Sequence, residues 1–108
     1  MVSEEAIVEH LAQFADVSER SEKGWRIFSR GEKIFLCVEE GKTPLRIELS
    51  CDRKLGQTLQ ERYESVMESR ALGRNGIEVV CTGQLSDDEV FDLVRHAYEV
   101  SAPEESEE

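Results

Sequence analysis

The sequence predicts an α+β fold, a two-layer sandwich in which helices cover one face of an antiparallel sheet. Three observations predict it. Helical apolar spacing marks the first and last segments, a third helical pattern lies between them, and three central segments alternate with period two across hairpin-length gaps. The predicted order is α-β-β-β-α-β-β-α, with all helices on one face.

Ser3 followed by Glu4 and Glu5 supplies an N-cap and a first turn suited to the helix dipole. Ile7, Val8, Leu11, Phe14 and Ala15 then recur at helical spacing, which predicts a helix over about 4–15. Asp16 to Gly24 reads as a polar connection. Trp25 to Arg30, Lys33 to Glu39 and Pro44 to Leu49 alternate as strands, separated by Gly31-Glu32 and Glu40-Gly41-Lys42. Such short turns make the three strands antiparallel neighbours.

Asp52 caps a second helix, with Leu55, Leu59, Tyr63, Val66 and Met67 every three or four residues. The stretch from Glu68 to Gly76 is less regular and leads to an apolar strand, Ile77 to Cys81. Ser86-Asp87-Asp88-Glu89 is a capping box, followed by Val90, Leu93, Val94, Ala97 and Tyr98 on one face, so a helix spans about 87–101. Pro103 stops it. A single domain over 1–102 is expected, with a disordered acidic tail over 103–108.

Composition narrows the chemistry. The chain has 108 residues and a net charge of −11, with 34% charged and 39% apolar residues. A chain of this size buries only about 60–65% of its unfolded surface, so a large active-site cavity is not expected. No apolar run approaches the length of a membrane span, and Met1-Val2-Ser3-Glu4-Glu5 lacks the regions of a signal peptide, so a cytoplasmic location is expected.

Cys37, Cys51 and Cys81 are odd in number and widely spaced, unlike a disulfide framework or zinc ribbon. Cys37 and Cys81 read as small buried hydrophobes, whereas Cys51 stands at a helix start that favours a thiolate. His10 and His96 lie far apart and read as surface residues. The acidic residues that open the first and last helices lack the oxygen spacing of a calcium loop. There is no Gly-rich phosphate loop, G-x-S-x-G or H-E-x-x-H. No enzyme activity, metal or cofactor is expected.

The alternation assigns Ile34, Leu36, Val38, Leu45, Ile47, Leu49, Ile77, Val79 and Cys81 to the face that meets the helices. The opposite, open face then carries Arg26, Phe28 and Arg30, Phe35 and Cys37, Arg46 and Glu48, and Glu78 and Val80. Arginine beside phenylalanine suits nucleic acid contacts and protein interfaces alike. Simple packing under a loop is the third reading. Charge is uneven: residues 20–74 hold twelve of the thirteen basic residues, inside an acidic frame. A phosphate backbone can use such a stripe, but the overall charge repels a polyanion at a distance.

From about Gly24 to Ala102 the sequence resembles the MmcQ/YjbR family. The resemblance is carried by Gly31-Glu32-Lys33-Ile34-Phe35, by Pro44-Leu45-Arg46-Ile47-Glu48-Leu49, by Cys51-Asp52-Arg53-Lys54-Leu55 and by Glu61-Arg62-Tyr63-Glu64-Ser65-Val66. Gly83-Gln84-Leu85-Ser86-Asp87-Asp88-Glu89 and Leu93-Val94-Arg95-His96-Ala97-Tyr98-Glu99-Val100 complete it. It implies the same element order, a short strand within Ser69 to Leu72, and a fold similar to frataxin-like and secretion-chaperone folds.

The resemblance also implies DNA binding without a shared catalytic motif or cofactor. The family usually places a basic, histidine- or asparagine-rich loop and a tryptophan before and within the late strand, whereas this chain has Leu72-Gly73-Arg74-Asn75-Gly76 and then Ile77, which leaves Arg74 and Asn75 to carry the loop's contacts. The expected contacts are therefore Arg26, Arg30, Arg46, Arg70, Arg74 and Asn75, with Phe28 and Phe35 as stacking platforms. The alternative, favoured by the charge of −11, is a protein-interaction, chaperone-like or regulatory domain that uses the same face against a partner or a second copy. No membrane and no small-molecule substrate is predicted.

Overall fold

A computed structural model describes residues 2–102 of the chain, so the predicted acidic tail at 103–108 lies outside the described residues. Its elements are α1 (Glu4–Leu11), β1 (Val17–Glu22), β2 (Trp25–Arg30), β3 (Lys33–Glu39), β4 (Leu45–Ser50), α2 (Arg53–Arg62), β5 (Val66–Ser69), β6 (Gly73–Cys81) and α3 (Asp87–Val100). The strands form one antiparallel sheet in the order β1-β2-β3-β4-β6-β5. The α+β fold is as the sequence predicts, with one strand more: β1 lies where a polar connection was expected. Five of its six residues are exposed, so it carries none of the half-buried alternation that marks a strand.

The caps behave as their residue types require. Ser3, Asp52 and Ser86 accept backbone N–H groups of Ala6, Leu55 and Glu89, and the Glu89 carboxylate returns a bond to the Ser86 N–H at 2.8 Å. Two helices stop earlier than their apolar spacing suggests. α1 ends at Leu11, and Phe14 and Ala15 follow it in irregular backbone. α2 ends at Arg62, and Val66 and Met67 belong to β5, whose bounds lie before those implied by the resemblance.

The core lies between the sheet and the three helices. Leu36, Val38, Ile47, Leu49, Ile77 and Val79 meet Ile7 and Leu11 of α1 and Val90, Leu93, Val94 and Ala97 of α3. Gly56 lets α2 approach the sheet: a Cβ there would stand 3.2 Å from the Ile77 side chain.

The register of β2 differs from expectation by one residue. Arg26 faces Val38 and Phe28 faces Leu36 across the ladder, and residues directly opposite share a face. Arg26, Phe28 and Arg30 are therefore on the helix side, while Trp25 and Ile27 are on the open side. The pairing then slips, so that Ser29 faces Ile34 and Phe35 is left unpaired in a bulge. The bulge turns Phe35 inward beside Leu36, completely buried and edge-on to Tyr98 at 5.7 Å. It also moves Ile34 from the expected core face to the level of Ser29. The run Ile34-Phe35-Leu36-Cys37-Val38 is continuously apolar, so its alternation could not reveal the extra residue.

Candidate functional site

The eight residues expected to form one contact surface fall into three groups. Phe28 and Phe35 are 3% and 0% exposed and cannot stack on a base. They are core residues, because β2 and the bulge turn both rings beneath the helices.

Arg26 and Arg30 stand at the margin of the helix-covered face. Arg26 Nε and Nη2 meet Glu19 Oε2 at 2.8 and 2.7 Å, and Nη1 meets Glu4 Oε2 at 3.1 Å. The hydrogen bond that Arg26 donates to Glu19 raises the guanidinium pKa, with burial opposing it and Glu4 adding to it. Arg30 lies over the Tyr98 ring, 3.9 Å from its centroid, and donates to the Tyr98 carbonyl at 2.9 Å. Both arginines tie secondary elements together, and neither belongs to the open face.

Arg46 is on the open face, as expected. Its Nε lies 3.2 Å from Glu78 Oε2 and 3.9 Å from Glu39 Oε1. Arg70, Arg74 and Asn75 are exposed on the β5–β6 hairpin, and neither arginine has an ion-pair partner among the described residues. The pairing there jumps from Glu68 opposite Ile77 to Ser69 opposite Gly73, which leaves Arg74, Asn75 and Gly76 of β6 without partners on β5. Gly76 is required: a Cβ would lie 2.6 Å from the Leu72 Cβ and 3.0 Å from the Leu49 carbonyl oxygen.

The open face holds Trp25 and Ile27, which the expected register turns inward, beside Cys37, which was expected there. Trp25, Ile27 and Cys37 line a cavity of about 380 Å³ with Glu48, Glu22, Lys23, Arg70 and Ala71. One wall is the hairpin Lys23-Gly24, where φ of +53° and +85° gives the two left-handed residues of a tight hairpin turn. The opposite wall is the β5–β6 connection, drawn over the sheet by Glu48. One oxygen of this buried carboxylate accepts the Ser69 hydroxyl at 2.6 Å and the Ala71 N–H at 3.0 Å, and Ser69 Oγ accepts from the Leu72 N–H at 2.9 Å. The signal that could have found this site is Trp25, the chain's one tryptophan, immediately after a Lys-Gly turn.

The cysteines and histidines take other roles than a reactive or freely solvated one. Burial pushes the thiols of Cys37, Cys51 and Cys81 up to about 11, with nearby carboxylates adding to the effect. The thiolate favoured at a helix start is thus not realised at Cys51, which is packed inside. His96 Nε2 accepts from the Asp52 N–H at 3.0 Å. His10 is packed between α1 and α3, stacked on Phe91 at 4.8 Å and edge-on to Phe14 at 5.3 Å. Among the described residues no group of three or more His, Cys, Asp or Glu could hold a metal ion, and no helix is long and apolar enough to cross a membrane.

No protein-family model and no curated protein matches this chain. Its fold is similar to that of protein DR2400 from Deinococcus radiodurans, a DUF419 domain, with a TM-score of 0.82 and 16% sequence identity, covering 89% of this chain and 75% of that one. DUF419 is the MmcQ/YjbR-type family. A crystal structure of a protein from Pseudomonas syringae is also similar, with a TM-score of 0.76 and 12% identity over 94% of this chain and 100% of that one. At these identities the likeness shows the fold.

Proposed function

We propose that this chain is a non-catalytic binding domain of the MmcQ/YjbR type that engages a protein partner through the open face of its sheet. The observation that carries this reading is the composition of that face. Arg20, Lys23, Arg46 and Arg70 are matched there by Glu22, Glu39, Glu48 and Glu78, around an apolar centre of Trp25, Ile27 and Cys37. Mixed charge around an aromatic centre is the make-up of a protein interface. A phosphate backbone calls for unbalanced positive charge, and two of the arginines meant for it are bound within the protein.

A second reading follows from a separate observation. Arg70 and Arg74 are exposed and unpaired among the described residues, and Arg53 and Lys54 open α2 with their side chains exposed. DNA contact, as the family resemblance implies, would be confined to these residues and Asn75, with Arg26 and Arg30 outside it.

The two readings separate in one comparison. Recovery of a cellular protein by the full chain, retained in Arg53→Ala/Arg74→Ala and lost in Trp25→Ala, is expected. DNA binding by fluorescence anisotropy that weakens between about 50 and 200 mM salt and is abolished by Arg53→Ala/Arg74→Ala, with no protein recovered through the open face, would replace the first reading with the second.

A further inference from the structure

The cavity on the open face has a chemistry more specific than its position. Its floor is apolar, made by Trp25, Ile27 and Cys37, and its volume of about 380 Å³ is at the small end of ligand sites, enough for one anchoring side chain. Its charged lining is asymmetric in availability. Glu48 is buried with one oxygen held by Ser69 and Ala71, and Glu22 lies 3.9 Å from Arg20. Lys23 and Arg70, one on each wall, are exposed and have no ion-pair partner among the described residues. An occupant that satisfies the site therefore places apolar surface on the floor and negative charge at the rim.

Lys23 is also an unexpected residue for its backbone. A left-handed φ of +53° before Gly24 suits asparagine, and lysine adopts it at a cost. The hairpin thus carries a cation where its own geometry prefers a short amide.

We propose that this cleft receives an anchor from a partner polypeptide: one apolar side chain on Trp25, Ile27 and Cys37, followed by a carboxylate that meets Lys23 and Arg70. The proposal rests on the protein-binding reading of the open face and specifies the segment it recognises. The apolar contact supplies the affinity, and the two cations select an acidic neighbour over a neutral or basic one.

The test titrates the isotope-labelled full chain with acetyl-Ser-Leu-Glu-Ser-amide and with versions carrying Gln or Lys in place of Glu. Amide shifts and Trp25 fluorescence are followed together. The expected result is saturable shifts at Trp25, Ile27, Cys37 and Ala71, with the Gln peptide about two- to fivefold weaker than the Glu peptide and the Lys peptide weaker again. Lys23→Asn, which keeps the hairpin, and Arg70→Gln should each reduce that preference while leaving the shifts in the same place.

Equal affinity for the three peptides, or a preference unchanged by both substitutions, overturns the charge selection. If the shifts still lie in the cleft, the open face survives as a protein interface. No shift on the open face with any peptide overturns the anchor, and the interface is then decided by the Trp25→Ala recovery comparison. A dimer in sedimentation that Trp25→Ala dissociates assigns the cleft to a second copy and also overturns the proposal.

Discussion

Arg26 and Arg70 are arginines on opposite sides of one sheet, and they do opposite things. Arg26 is held at the helix-covered margin by two carboxylates from two different elements, Glu4 of α1 and Glu19 of β1. Arg70 sits on the wall of the open cleft with no ion-pair partner among the described residues. The first spends its hydrogen bonds on joining a helix to the edge of the sheet. The second keeps them for whatever docks. What separates them is position: Arg26 lies on the helix side of the β2 ladder, opposite Val38, whereas Arg70 follows β5 in the connection that lines the open side.

The largest expected effect tests the inner side of that comparison. Phe35→Ala should destabilise the fold by about 3–5 kcal/mol, read by denaturant unfolding, because the ring is wholly buried against Tyr98. If Phe35 were an exposed stacking platform, stability would be unchanged.

Next comes the link between the two regions, Glu48. Glu48→Ala leaves the Ser69 hydroxyl and the Ala71 N–H without their acceptor, and a loss of about 1–3 kcal/mol is expected. The same variant should release the β5–β6 wall, so backbone shifts should gather at 69–72 and leave β2 unchanged. Arg26→Ala is expected to be smaller, about 1 kcal/mol, while Arg70→Ala should leave the melting temperature unaltered. A melting curve for each variant sharpens the contrast, and equal losses would break it.

The smallest effect is a pH dependence at the α1–α3 contact. Burial lowers the His10 pKa below its ordinary 6.5; the charge on Arg95 lowers it further, and the backbone of Phe91 and the charge on Asp92 oppose this. Its Nε2 is buried without a hydrogen-bond partner among the described residues. The unfolded chain therefore takes up this proton before the folded one as pH falls. Stability from His10 is complete above the ordinary value and is lost as pH drops through the lowered one. Unfolding midpoints between pH 7.5 and 5 should decline, and His10→Phe should reduce that decline.

Much of the fold could be read from the sequence, because its strongest signals are local. The Ser86–Glu89 capping box and the stripe from Val90 to Tyr98 define α3 within one residue of its end. The turns at Gly31-Glu32 and Glu40–Lys42 order β2, β3 and β4. What could not be read depends on contacts across the sheet. β1 is polar and announces itself only by pairing with β2. Val66 and Met67 continue the helical spacing of Leu59 and Tyr63, yet pairing with β6 draws them into a strand.

The candidate site suffered most. In Trp25-Arg26-Ile27-Phe28 both parities offer apolar residues to the core, and assigning Arg26, Phe28 and Arg30 to the open face reversed the strand. Arg46, Arg70, Arg74 and Asn75 remain at the surface as expected. They do not join Arg26, Phe28, Arg30 and Phe35 in one patch.

The grip of Glu48 on the Ala71 amide has a kinetic signature. Ala71 is exposed and lies in a connection between strands, where amide protons normally trade with solvent quickly. Its proton is instead held by a carboxylate that β4 carries in the middle of the sheet, so its exchange should follow the opening of the whole connection. An occupant wedged against Ala71 would slow that opening, and deuterium uptake at this one amide would register docking without any label on the partner.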